Sequence, residues 1–125
     1  MMSMRARFTR PQTSDPQILQ GIEALREGEE YVVLEVSVRF GRSALFRVEF
    51  IEGEWEQSAL FDSRAFTVTS HSLPPTWRYF QFDTGSFSLC PESWNQPGFW
   101  ESYYDHAPQA LEVYETEKRE ILSSS

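Results

Sequence analysis

The most reactive side chains in this sequence are those of His71, His106 and the single cysteine, Cys90. An imidazole beside a carboxylate, as in Asp105-His106, has the groups needed for acid–base catalysis. A nucleophilic cysteine needs a histidine or a helix N-terminus beside it, and the sequence around Cys90 shows neither. Two histidines at this spacing do not make a metal-binding motif. We therefore predict a non-enzymatic protein without a metal or cofactor, and keep an enzyme that uses His71 or His106 as an alternative.

A second group of residues is suited to binding rather than to catalysis. Residues 49–56 contain four glutamates around Gly53 and Trp55. An exposed tryptophan can anchor a protein interface, and the surrounding carboxylates would complement a basic partner. The alternative is a solvated loop whose tryptophan folds back onto the core. From charge and expected exposure, the predicted partner-binding residues are Glu52, Glu54, Trp55, Glu56 and Asp62, followed by Glu101 and Asp105.

Aromatic side chains are concentrated in residues 94–104, where five of eleven positions are aromatic. Large aromatic residues supply much of the core of a small domain, so we expect four of them to pack the junction between the sheet and the C-terminal helix. These are Trp94, Phe99, Trp100 and Tyr103. The alternative function is a regulatory module that binds a small ligand or a peptide in an aromatic-lined pocket. That pocket would use Trp77, Tyr79, Trp94 and Trp100.

Period-two patterns predict the strands that position these groups. In residues 30–40 the even positions from Val32 to Phe40 are apolar while Glu35, Ser37 and Arg39 are polar, which predicts one strand with one buried face. The alternation resumes over residues 44–50 after a short turn, giving a β-hairpin. Residues 66–70 are β-branched and predict another strand. A second hairpin is expected from residues 77–82 and 87–90.

Helical signals lie at both ends of the sequence. Asp15 and Pro16 indicate the start of a helix over residues 15–27, and Gly28 indicates its end. A helical turn is expected over residues 97–105 and a longer helix over 107–122. The fold class is thus α+β, with an antiparallel sheet of about five strands and the N-terminal and one or two C-terminal helices packed on it. The predicted organisation is a flexible arm over 1–13, one domain over 14–122 and a tail over 123–125.

The charge distribution limits the possible partners. Eleven basic against nineteen acidic residues give a net charge of −8, and Arg5, Arg7 and Arg10 fall in the first ten residues. The rest of the chain is therefore still more acidic, which argues against nucleic-acid binding and favours a basic partner. With one cysteine, no secretory signal and no transmembrane run, we expect a cytoplasmic protein without a membrane partner. The sequence predicts no particular oligomeric state.

Several segments together resemble a group of small bacterial immunity proteins. They are GEEYVVLEV at residues 28–36, ALFD at 59–62 and PESWNQPGFWESYYD at 91–105, followed by Pro108 and an acidic terminal helix. The proteins they resemble neutralise polymorphic toxins of the contact-dependent or Rhs type. The resemblance implies a cytoplasmic, non-enzymatic protein that binds a cognate toxin domain and blocks its active site or substrate groove. Acidic residues of such a protein would lie where the phosphates of a nuclease toxin's substrate bind.

Overall fold

A computed structural model describes residues 3–123 of the chain and confirms the α+β class. The described strands are β1 Arg5–Phe8, β2 Glu30–Val32, β3 Glu35–Val38, β4 Leu45–Glu52, β5 Trp55–Asp62, β6 Phe66–Ser70, β7 Arg78–Gln81 and β8 Phe87–Cys90. The helices are α1 Pro16–Leu19, α2 Phe99–Tyr104 and α3 Pro108–Ser123. The strands form two antiparallel sheets with the orders β2-β1-β6 and β5-β4-β3-β8-β7.

The predicted flexible arm over 1–13 is wrong where it includes β1. This strand is the centre of the three-stranded sheet, and Ala6 and Phe8 on it are fully buried. Arg5 and Arg7 alternate with them and each lie 3.8 Å from Glu30. Four residues with two arginines give too short a period-two pattern to stand out in the sequence. Residues 1, 2, 124 and 125 of the predicted arm and tail lie outside the described residues, whereas Ser123 ends α3.

The predicted N-terminal helix begins where expected but is much shorter. The Asp15 carboxylate accepts a hydrogen bond of 2.9 Å from the backbone N–H of Gln17, which is the expected cap of α1. Gly21 then adopts a φ of +78°, and a 3₁₀ turn over Ile22–Ala24 replaces the rest of the helix. A glycine takes this left-handed conformation at little cost, so it ends the helix before Gly28.

The predicted strand over residues 30–40 is two strands, β2 and β3, which belong to different sheets. Val33 and Leu34 connect them and are buried. The prediction that only the even positions are buried is therefore wrong, because Glu35 and Ser37 are also buried. They face the C-terminal helices instead of solvent. The sequence pattern shows one apolar face but not that the polar face is covered as well.

The remaining hairpins and C-terminal helices agree with the sequence predictions. β3 pairs with β4, β7 pairs with β8, and β6 has the predicted bounds. β4 and β5 form a long hairpin from the pair Leu45–Asp62 to the pair Glu52–Trp55, so residues 59–62 belong to β5. Within residues 3–123, no helix has the length and apolar character needed to cross a membrane.

The two faces of the five-stranded sheet differ in chemistry. One face is apolar and packs towards the small sheet, with Phe46 and Phe66 at a ring-centroid distance of 5.9 Å. The other face, towards α2 and α3, carries Glu35, Arg47 and Ser58. On this side Tyr103 accepts a hydrogen bond of 3.0 Å from the Ser58 backbone N–H. Trp94, Phe99 and Tyr103 are buried, which confirms that these aromatic residues pack the junction.

Candidate functional site

The β4–β5 hairpin ends in a group of exposed residues, Glu52, Glu54, Trp55 and Glu56, called the acidic tip here. Glu52 and Trp55 are paired across the turn, in which Gly53 has a φ of +64°. A glycine fits this position because other residues rarely adopt positive φ. The Trp55 side chain is 62% exposed and does not fold back onto the core. A large apolar surface thus stands among three carboxylates.

His106 holds the Trp55 ring in place. The two rings are stacked, with centroids 5.1 Å apart and planes inclined by 14°. His106 lies in the turn between α2 and α3 and has a φ of +60°, which is uncommon for a residue other than glycine. A stacked ring loses less conformational freedom on binding than a free one, so Trp55 is a partly preorganised anchor. No local sequence pattern predicts this contact, since the two residues are distant in the chain.

The turn between α2 and α3 brings one further acidic group, that of Asp105, close to the acidic tip. Asp105 is exposed at the end of α2, next to His106, and Glu101 is exposed one helical turn earlier. Ile51, which pairs with Glu56 across the hairpin, is 68% exposed and was not among the predicted site residues. Because successive pairs of a hairpin point to opposite faces, Ile51 is exposed on the face opposite that of Trp55.

Lys118 joins the acidic tip to α3. Its ammonium group lies 3.1 Å from Glu49, 3.5 Å from Glu56 and 3.2 Å from Glu115. Burial by itself would lower the pKa of Lys118, but the carboxylates of Glu49 and Glu115 outweigh burial and raise the pKa. Burial raises the pKa of Glu49 despite hydrogen bonds from Tyr114 and Lys118. Among the described residues these three glutamates are the group close enough to share a metal ion, and Lys118 already supplies a positive charge there.

Asp62 does not belong to the exposed acidic surface, contrary to the expected exposure. It is 3% exposed and lies at the opposite end of β5 from the acidic tip. Its Oδ1 accepts hydrogen bonds from the backbone N–H and Nε of Arg64, and its Oδ2 accepts one from Nη2, each at 2.9 Å. These hydrogen bonds lower the pKa of Asp62. The residue caps the 3₁₀ turn Ser63–Ala65 and has a structural role.

The Asp62→Asn variant should be less stable than the wild type by about 1 kcal/mol at neutral pH, because the charged cap and ion pair are lost. The pKa of Asp62 is lower in the folded state, so its contribution is present above the unfolded-state pKa of about 3.9 and is lost as the pH falls through the folded-state pKa. Urea unfolding at several pH values should show the two proteins converging in acid. A difference that stays constant down to the lowest pH would contradict this role.

The reactive residues considered for catalysis do not come together in the described part of the chain. His71 follows β6 in an exposed loop, while the ring of His106 lies against Trp55. Cys90 is 1% exposed, and burial raises its pKa to about 12. Such a thiol is not ionised at neutral pH and is a poor nucleophile.

Comparisons with protein-family models, with curated proteins and with solved structures find no match to this chain.

Proposed function

We propose that this protein binds and neutralises a cognate bacterial toxin domain that has a basic surface, and that the acidic tip makes the contact. The observation that carries the proposal is the exposed, stacked Trp55 among the carboxylates of Glu52, Glu54 and Glu56. Interface hot spots are enriched in tryptophan, and they pack best when they are already ordered before binding. The protein would act in the cytoplasm as a stoichiometric inhibitor rather than as an enzyme.

The negative charge of this surface should also increase the rate of association with a basic partner. The whole chain carries a net charge of −8, and Asp105, Glu101 and Glu115 add exposed carboxylates beside the acidic tip or along the neighbouring helices. An acidic surface attracts a basic partner and accelerates encounter at low ionic strength. A toxin that acts on phosphate esters needs a basic groove, and carboxylates seated in that groove would exclude its substrate.

The direct test is co-expression with the product of the adjacent open reading frame. We expect the neighbouring protein to stop growth when expressed alone, and growth to recover when this chain is also present. The two should co-purify as a stable complex. A neighbour that is not toxic and forms no complex would contradict the proposal.

Reversing the charge of the acidic tip should slow formation of this complex. In a Glu52→Lys, Glu54→Lys double variant, the association rate should fall about tenfold at low salt, and its dependence on salt should become weaker. Neither side chain takes part in an ion pair among residues 3–123, so the fold should be unaffected. Stopped-flow or surface-binding kinetics at several ionic strengths would measure both effects.

The matched control is an Asp83→Lys, Glu92→Lys double variant. It makes the same change in net charge at exposed positions outside the acidic tip, with Asp83 in the turn between β7 and β8 at the opposite end of the sheet. If both double variants slow association equally, net charge alone determines the rate and the acidic tip is not the contact.

A further inference from the structure

A cleft of about 510 Å³ lies between the polar face of the five-stranded sheet and residues 94–100. Glu35 and Arg47 line it with two serines from neighbouring strands, Ser37 and Ser88. Trp94 and Trp100 form part of its wall, and Arg39 also borders it. This volume is in the range of sites that hold small organic molecules. Of the other two aromatic residues expected in a pocket, Trp77 is in the core and Tyr79 is exposed on β7.

The composition of the sheet face in this cleft is unusual. A sheet face that is covered by helices is normally apolar, because burying polar groups costs free energy. Here Glu35 opposes Arg47 and Ser37 opposes Ser88 across the strands, and all four are at least nine-tenths buried. Polar residues at these positions therefore need an explanation beyond packing.

Contacts within the protein satisfy only part of the hydrogen-bonding capacity of these polar groups. Arg47 donates from Nε to Glu35 at 2.7 Å and from Nη1 to Tyr104 at 2.9 Å, and its guanidinium carbon lies 3.5 Å from the centre of the Trp100 ring. These contacts hold the side chain in one orientation. They do not use its Nη2, which has no hydrogen-bond partner in the described part of the protein.

Other polar atoms of the cleft are also without partners among residues 3–123. The side chains of Ser37 and Ser88 make no hydrogen bond there, and the Nε1–H of Trp94 is buried with none. The Trp94 Nε1–H is enclosed by the protein, whereas the free groups of Arg47 and the two serines are accessible from the cleft and can bond to a molecule held there. Most of these atoms are donors, which favours a ligand rich in acceptors.

The net positive charge of the cleft favours an anionic ligand. Arg47 and Arg39 face one carboxylate, that of Glu35, so the cleft is positive by one charge in a chain of net charge −8. We propose that this cleft binds a small organic oxyanion, a carboxylate or phosphate attached to a planar ring. Its oxygens accept hydrogen bonds from Arg47 and the two serines beside the Trp94 ring, while Arg39 attracts it electrostatically. The site is separate from the acidic tip and does not depend on toxin binding.

Two probes and their neutral counterparts test this site. Indole-3-acetate represents the carboxylate class and adenosine 5′-monophosphate the phosphate class, with indole-3-acetamide and adenosine as controls. The indole N–H signals of the four tryptophans can be followed by ¹H–¹⁵N NMR, and Trp94→Phe assigns the signal of Trp94. We expect a saturable shift of that signal, and a rise in melting temperature, with at least one charged probe at millimolar concentration. The probe that responds identifies the class.

Substitutions in and near the cleft test whether the probes bind there. Ser88→Ala and Arg39→Gln should each weaken binding of the active probe about tenfold. Arg42→Gln removes an equal charge from the same loop but lies outside the cleft, and it should not change the affinity. Trp55→Ala should also leave probe affinity unchanged, so failure of the toxin proposal and failure of this one can be distinguished.

Two results would overturn the proposal. The first is the absence of a saturable shift with either charged probe, or an equal response to the neutral probes. The second is a wild-type affinity in both Ser88→Ala and Arg39→Gln when both variants are folded by circular dichroism.

Discussion

Replacing Arg47 with methionine should lower the free energy of unfolding by about 3–5 kcal/mol, because it leaves the Glu35 carboxylate buried without its counter-ion. The side chains of this pair are only 4% and 8% exposed and are 2.7 Å apart. Arg47 also donates to Tyr104 and covers the Trp100 ring, so the substitution removes two of the contacts between the sheet and α2. Urea unfolding monitored by tryptophan fluorescence would measure the loss.

Two further variants distinguish the loss of the Glu35–Arg47 ion pair from the general effect of removing an arginine charge on stability. Arg39→Met makes the same replacement at an exposed position on the next loop and should change stability by no more than about 0.5 kcal/mol. Glu35→Gln combined with Arg47→Met removes the unpaired charge and should recover part of the loss. If Arg47→Met is as stable as Arg39→Met, the pair does not stabilise the junction.

The second large effect is expected at the acidic tip. Trp55→Ala should weaken binding of the cognate toxin domain by about 30-fold or more, since truncating a hot-spot tryptophan costs about 2 kcal/mol or more. Most of this change should be in the dissociation rate, in contrast to the charge reversals. Calorimetry together with surface-binding kinetics would give both quantities.

Two control variants test whether the aromatic ring of Trp55 is responsible for the change in affinity. Leu73 is 57% exposed in a loop that lies outside the acidic tip, and Leu73→Ala should not change affinity. Trp55→Phe keeps an aromatic ring that can stack on His106 and should retain part of the binding energy. Equal affinities for wild type and Trp55→Ala would place the interface on another surface.

Much of the fold could be predicted because most elements have a clear local pattern. The hairpins around residues 41–43 and 83–86 combine alternating strands with turn residues, and α3 has a helical stripe with Tyr114 and Ile121 buried. These signals depend on neighbouring positions only. The same local reasoning failed at β1 and at the break between β2 and β3, where pairing with distant strands determines the structure.

The candidate sites were less predictable because they depend on distant contacts. An exposed Trp55 is one of two outcomes that the sequence allows. Its stacking on His106 has no local signal because the two residues are far apart in the sequence. Asp62 was placed on the surface because its charge suggested exposure, whereas its neighbour Arg64 neutralises it in a buried position. The cleft was missed since Glu35 and Arg47 each fit the polar side of a half-buried strand.

The position of β1 has a consequence for folding during synthesis. This strand is synthesised before both of its partners, yet it lies between β2 and β6 and pairs with Phe66–Ser70. Ala6 and Phe8 thus remain without their full set of neighbours until Ser70 has been translated. Non-local pairing of this kind slows folding and prolongs exposure of apolar residues. A chaperone or ribosome-bound factor that shields β1 in the nascent chain should therefore increase the yield of folded protein more than stabilisation of α3 would.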